Sequence, residues 1–181
     1  MTKVSRVSPP SGSVSGRYEF TRQALVFRAL EQARGRYSGP GYLVLTPLRL
    51  PDGAHIIVNR GFVPQDQRDR FAAPAQDAAG GTTVTGLMRA SEPRNWFTPA
   101  DEPERNLFFS RDAEALARAM QLGPHAPFVI DAEAGPDPLP EGGETRLTFV
   151  NNHLSYAFTW FGLAAALLGV FGVYAYGRLR P

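Results

Sequence analysis

Cysteine is absent from the 181 residues. Its absence excludes disulfides, thiolate zinc sites, thiolate copper carriage and cysteine nucleophiles, and leaves the redox compartment open. Histidine is scarce as well. His55, His125 and His153 are the only three, and no two stand at a metal-ligand spacing on a shared element, which argues against a zinc or copper site built from side chains alone. His55 and His125 read as surface or hydrogen-bonded structural residues. A Gly-rich phosphate loop, a nucleophile elbow and a catalytic carboxylate pair are also missing, so the sequence offers no catalytic constellation and a non-enzymatic role is expected. Lysine occurs once, at Lys3, against 18 arginines. With the many Ala, Gly and Pro residues, this bias points to a GC-rich bacterial genome rather than to protein physics.

Charge of either sign is missing from Leu154 to Tyr176. A helix of that length rises about 34 Å, enough for a hydrocarbon core of about 30 Å. The stretch therefore predicts a transmembrane helix over 151–177, with 178–181 as a cytoplasmic tail. Every acidic residue precedes it. Arg178 and Arg180 lie beyond the helix, leaving 17 basic residues to balance 17 acidic ones before it. Such a balanced domain carries no electrostatic footprint for nucleic acid. The positive-inside rule puts the two terminal arginines in the cytoplasm and the domain on the outer side. Met1 to Ser15 has no apolar central region and is no signal peptide. Either the domain is cytoplasmic, or an export signal or first membrane helix is encoded upstream.

Residues 1–12 read as a linker or arm and 13–150 as one β-rich domain. Val14, Gly16, Tyr18 and Phe20 share one parity and fit a half-buried strand. Leu25, Val26, Ala29, Leu30 and Ala33 fall near helical spacing, which fits a short helix within Thr21 to Arg34. Tyr42 to Leu48 and His55 to Val63 predict two antiparallel strands joined through Pro51-Asp52-Gly53, at the centre of the sheet. Pro64 to Gly81 predicts a surface loop, Thr82 to Arg89 a strand, and Glu92 to Arg105 a second loop carrying Trp96-Phe97 and a solvated acidic cluster of Asp101, Glu102 and Glu104. Ser110 is positioned to cap a helix over Asp112 to Leu122. Phe128 to Ile130 and Arg146 to Val150 predict the last strands. The fold class expected is α+β, an antiparallel β-rich domain followed by the membrane helix. Arg60, in the Asn59-Arg60-Gly61 step, is placed to pair with a carboxylate, in a buried salt bridge or at a ligand.

His153 stands at the mouth of the membrane helix. At 100° per residue, Tyr156, Trp160, Leu167, Phe171 and Tyr174 lie within about 60° of its direction. The opposite face carries Gly162, Ala165, Gly169 and Gly172, small residues that admit a neighbouring transmembrane helix. Two readings of the aromatic face stay open. His153 is a metal ligand where water is scarce, or Asn151, Asn152 and His153 cap the helix among lipid headgroups with Tyr156 and Trp160 as interfacial anchors.

The ordered set Gly41-Tyr42, Thr46-Pro47-Leu48, Asp52-Gly53, Val58-Asn59-Arg60-Gly61-Phe62-Val63-Pro64, Gly86-Leu87, Arg111-Asp112, Ala126-Pro127-Phe128 and Asn151-Asn152-His153-Leu154, with Tyr156 and Thr159-Trp160-Phe161, resembles the Surfeit locus protein 1 family of cytochrome c oxidase assembly factors. The resemblance covers Val14 to about Tyr176. It implies two transmembrane helices flanking a domain on the periplasmic side of a bacterial inner membrane, the first of them encoded upstream of this chain. It also implies a role in maturing the haem-copper oxidase catalytic subunit that carries haem a, alongside haem a synthase and membrane lipid. His153 aligns with a histidine linked to haem a and becomes the implied axial ligand of the iron, with Tyr156 and Trp160 packing around the ring. An assembly scaffold that binds subunits without a cofactor is the alternative. The family commonly has tryptophan where this chain has Phe62, and again near Phe108; both replacements keep an aromatic ring.

Overall fold

A strand with water on one face alternates apolar and polar residues, whereas Gly41 to Leu48 is buried at every position and so is covered on both faces. A computed structural model describes residues 11–30, 35–72, 76–135, 138–143 and 153–179, with the backbone alone at 153–157, 173 and 179. The chain divides into two units, 1–145 and 146–181. In the first, β1 (Ser11–Tyr18), β2 (Ala24–Leu30), β3 (Gly39–Arg49) and β4 (His55–Pro64) are followed by the one-turn helix α1 (Arg68–Ala72). Then come β5 (Thr82–Ala90), β6 (Leu107–Phe108), α2 (Ala113–Ala119) and β7 (His125–Ala132). The second unit carries α3 (His153–Leu179).

The seven strands form one sheet in the order β1-β5-β7-β4-β3-β2-β6, and β1 also pairs with β3. Five strands thus close into a small barrel, sealed where Arg17 and Tyr18 meet Arg49 and Leu48. The expected β-rich domain followed by an apolar helix is found, but the α+β, antiparallel part of that expectation holds only in part: the unit is mostly β and its sheet is mixed. β4 pairs with β7 in parallel, Ile57 opposite Val129 and Asn59 opposite Asp131, and β2 pairs with β6 in parallel. The reason is the crossover. Chain leaving β4 returns through α2, which sits against β7 and starts it from the same end as β4.

α2 closes one layer of the core, placing Ala113, Leu116, Ala117 and Met120 against Val26, Leu45, Ile57, Phe62 and Val129. Asp112, not Ser110, caps it: its Oδ1 accepts the amides of Glu114 (3.1 Å) and Ala115 (3.4 Å), while Ser110 is buried. The helix stops at Ala119, before left-handed Gln121. The short helix within Thr21 to Arg34 is also corrected. A single 3₁₀ turn, Phe20–Arg22, leads into strand β2, whose residues pair one by one with β3 from Ala24–Leu45 to Leu30–Gly39. Its run Ala24-Leu25-Val26 is buried throughout, the mark of another strand covered on both faces. The hairpin after β3 follows the sequence, with Asp52 Oδ1 accepting the Ala54 amide at 3.0 Å. The expected strand Arg146 to Val150 and residues 1–10 of the expected arm 1–12 lie outside the described residues, while Ser11 and Gly12, the last of that arm, belong to β1.

Polar side chains tie the strands together under this apolar packing. Asp131, 3 % exposed, accepts from Arg89 Nε at 2.7 Å, Asn59 Nδ2 at 2.8 Å and Arg111 Nη1 at 3.2 Å. Arg111 also donates to both oxygens of Glu92, which accepts from Arg28 Nη2 at 2.9 Å. One network therefore links β2, β4, β5, β7 and the entry to α2. Gly86 lets β5 approach β7, since a Cβ there would collide with the Asp131 carbonyl oxygen. Burial alone pushes the Glu92 carboxyl up, but the Arg111 hydrogen bonds and charge, joined by Arg28, overcome it and hold the group below its ordinary 4.5.

Two outcomes are expected for the detergent-solubilised chain. Phe62 is fully buried, so Phe62→Ala lowers stability by about 3–5 kcal/mol through lost burial and a cavity; urea unfolding followed by far-ultraviolet circular dichroism measures it. Because the Glu92 pKa is depressed on folding, its contribution is complete above the unfolded value and is lost as pH falls through the folded one. Glu92→Gln therefore destabilises at pH 7 and flattens the acid loss of stability below about pH 4.5, read from urea midpoints across pH.

Candidate functional site

α3 is 27 residues long and so rises about 40 Å. Within it Phe158–Arg178 is apolar and long enough to cross a membrane. Its large side chains stay exposed: Phe158, Trp160, Phe161, Leu167, Leu168, Val170 and Phe171 are open to the surroundings. An exposed apolar helix of this length is unfavourable in water and suited to lipid. Cβ atoms added at Gly162, Gly169 and Gly172 would meet nothing, so the small-residue face is open too.

His153 is the first residue of α3, Tyr156 follows within a turn and Trp160, 70 % exposed, a turn later. By helical geometry the three backbone positions share one face at the N-terminal end of the helix. Leu154 to Tyr156 separate the imidazole-bearing position from Ala157 and the apolar stretch that opens at Phe158. Asn151 and Asn152 lie outside the described residues. Histidine ligates iron as the neutral imidazole.

The first unit places the remaining sequence-singled residues elsewhere. The Asn59-Arg60-Gly61 step is a β-bulge: Leu43 faces Phe62 and Leu45 faces Asn59, so Arg60 and Gly61 oppose one residue of β3. Gly61 takes φ 136°, and its amide donates to Asn59 Oδ1 at 3.2 Å. The bulge sends Arg60 over two rings, 5.6 Å from the Tyr18 centroid and 4.9 Å from that of Phe20. Burial pushes the Tyr18 hydroxyl up, against the opposing pull of Arg60.

His55 is buried rather than on the surface, with Nε2 3.5 Å from Glu19 Oε2 but too poorly aligned for a hydrogen bond. Glu19 lines an open cavity of about 780 Å³ whose walls include Arg17, Arg49, Asp77 and Thr83. His125 is hydrogen bonded to Glu114 Oε2 at 3.0 Å and to the Gly123 carbonyl at 3.1 Å. The acidic loop is partly structural: Asp101 pairs with Arg94 at 2.7 Å and accepts the Phe109 amide at 2.9 Å. Among the described residues, no three His, Asp or Glu side chains converge as a metal site.

Sequence reasoning missed the Arg111–Asp131–Glu92 network. Its one signal was the Arg111-Asp112 pair, in which adjacent residues turn out to serve a buried carboxylate and a helix cap.

Comparison with known proteins gives these positions a context. The model of the SURF1 family matches residues 11–165. Surfeit locus protein 1 of Homo sapiens is 40% identical over 130 residues, which are 70% of this chain and 42% of that protein. Its Xenopus tropicalis counterpart is 38% identical over 129 residues, 70% of this chain and 41% of the other. A SURF1-like protein of Drosophila melanogaster is 39% identical over 135 residues, 72% and 43% of the two. The chain thus spans about two fifths of the length of these relatives. The matched stretch runs through the barrel and through both His153 and Trp160. The chain belongs to the SURF1 family.

Proposed function

We propose that this protein is a membrane-anchored assembly factor for a haem-copper terminal oxidase that holds haem a, or hands it to the catalytic subunit, through His153. The observation that carries this reading is the position of His153 as the opening residue of α3, about one turn ahead of a stretch long and apolar enough to span a bilayer. Membership of the SURF1 family supplies the oxidase context. The protein acts without catalysis, in a bacterial inner membrane, with its β unit on the periplasmic side and Arg178 toward the cytoplasm.

Chemically, the donor fits the cargo. At the edge of hydrocarbon a charged side chain is costly, which favours the neutral imidazole, the form with a nitrogen lone pair available to a metal. His153 would supply an axial imidazole to the haem iron. Tyr156 and Trp160, on the same face, would pack along the macrocycle, and Trp160 has its indole open for that contact. The small face of Gly162, Ala165, Gly169 and Gly172 would receive a neighbouring transmembrane helix. The haem synthase and the oxidase catalytic subunit are the proposed partners on either side of the transfer.

Purification from cells that make haem a tests the proposal. The wild-type chain is expected to carry a haem a absorption spectrum, and His153→Ala to retain about tenfold less haem or lower still, while the oxidase subunit still copurifies. Haem-free wild type that nevertheless brings down the oxidase subunit would replace this reading with that of a cofactor-free scaffold.

A further inference from the structure

Trp96 and Phe97 are 85 % and 72 % exposed, at the tip of the loop between β5 and β6. An aromatic pair this open is costly in water, and its rings lie 3.6 Å apart between centroids, presented together. The tip is built, not slack. The Asn95 carboxamide oxygen accepts the Phe97 amide at 3.0 Å and the Thr98 hydroxyl at 3.0 Å, and the Asn95 amide donates to Thr98 Oγ1 at 3.1 Å. The Thr98 amide closes the turn on the Asn95 carbonyl at 3.1 Å.

Arg94, the cation at the tip, is neutralised by Asp101 at 2.7 Å and donates to the carbonyls of Thr98 (3.1 Å) and Pro99. Pro93 and Pro99 bring no amide hydrogen. A loop tip in water has no need to satisfy its polar groups internally, because solvent does so. Each group paired within the loop is one fewer to strip of water where a tip meets the upper acyl region.

We propose that the Trp96–Phe97 tip is a membrane-insertion loop that seats in the headgroup and upper acyl region of a lipid bilayer. The occupant is lipid rather than a protein groove because the loop's cation and the amides of Asn95, Phe97 and Thr98 are paired within the loop, and because Trp is the residue type favoured at the bilayer interface. The inference rests on the reading of α3 as a membrane anchor, which keeps a bilayer surface within reach of the β unit at high effective concentration. In it, α3 fixes the protein to the membrane and the loop fixes how the β unit stands upon it.

Trp96 and Trp160 are the chain's two tryptophans, so single-Trp variants separate the two statements. The full chain, purified haem-free and reconstituted into phosphatidylcholine vesicles brominated in the upper acyl chain, is read by tryptophan fluorescence. In Trp160→Phe the sole reporter is native Trp96, whose surroundings are untouched by the substitution. Its emission is expected to shift to the blue on reconstitution and to lose about half its intensity to the bromines. In Trp96→Phe, quenching of Trp160 reports on α3. Unquenched Trp96 with water-like emission overturns the insertion loop whatever Trp160 does. Unquenched Trp160 overturns the anchor, and a Trp96 shift that needs added oxidase subunit instead of lipid also defeats the loop and assigns the tip to a protein.

Discussion

A carboxylate buried against a β-sheet is tolerable only when donors and positive charge are gathered around it. Asp131 meets that condition by collecting Asn59 from β4, Arg89 from β5 and Arg111 from the start of α2, and Arg111 passes the charge outward to Glu92 and Arg28. Hydrophobic burial holds the sheet together, but it is indifferent to register. The Asp131 network is not, because a slip of one residue in β4 or β7 would leave a buried ion unpaired at a cost of several kcal/mol. The parallel pairing of β4 with β7, the close approach of β5 and the landing site of α2 are therefore fixed by the same group.

Two parts of the molecule were readable at different levels. β3 and β4 could be seen because continuous apolar runs with a Pro-Asp-Gly turn between them are a local signal. β2 could not, because Leu25, Val26, Ala29 and Leu30 fit a helical stripe as well as a doubly buried strand, and only pairing with β3 decides between them. The parallel β7 and the Asp131 network were hidden for the same reason: Asn59 and Asp131 are 72 residues apart, and no periodicity links them. Arg60 was singled out for carboxylate chemistry, and its contacts with Tyr18 and Phe20 were not foreseen. Loop geometry set its neighbours, and loop geometry is not legible from residue types.

The candidate site is the reverse case. α3 and its leading histidine are as clear in sequence as in structure, because a helix of 27 residues is specified by its own composition. What composition leaves open is the cargo. A histidine position on one helical face with aromatic positions is what the proposal assigns to an iron-bearing macrocycle, and the family context gives that macrocycle its proposed identity. The proposal thus divides labour between the units, with the buried core in a barrel and the proposed ligand chemistry at the start of an apolar helix.

Gly86 shows how fragile such an arrangement is to inheritance. Its missing side chain is the space in which the Asp131 carbonyl sits, so one codon change that adds a methyl group pushes β5 from β7 and takes Arg89 away from the buried carboxylate. A cell carrying that allele would keep His153, Tyr156 and Trp160 intact and still lose the protein to proteolysis. The defect would look like a lesion in the candidate site while lying in the contact between two strands.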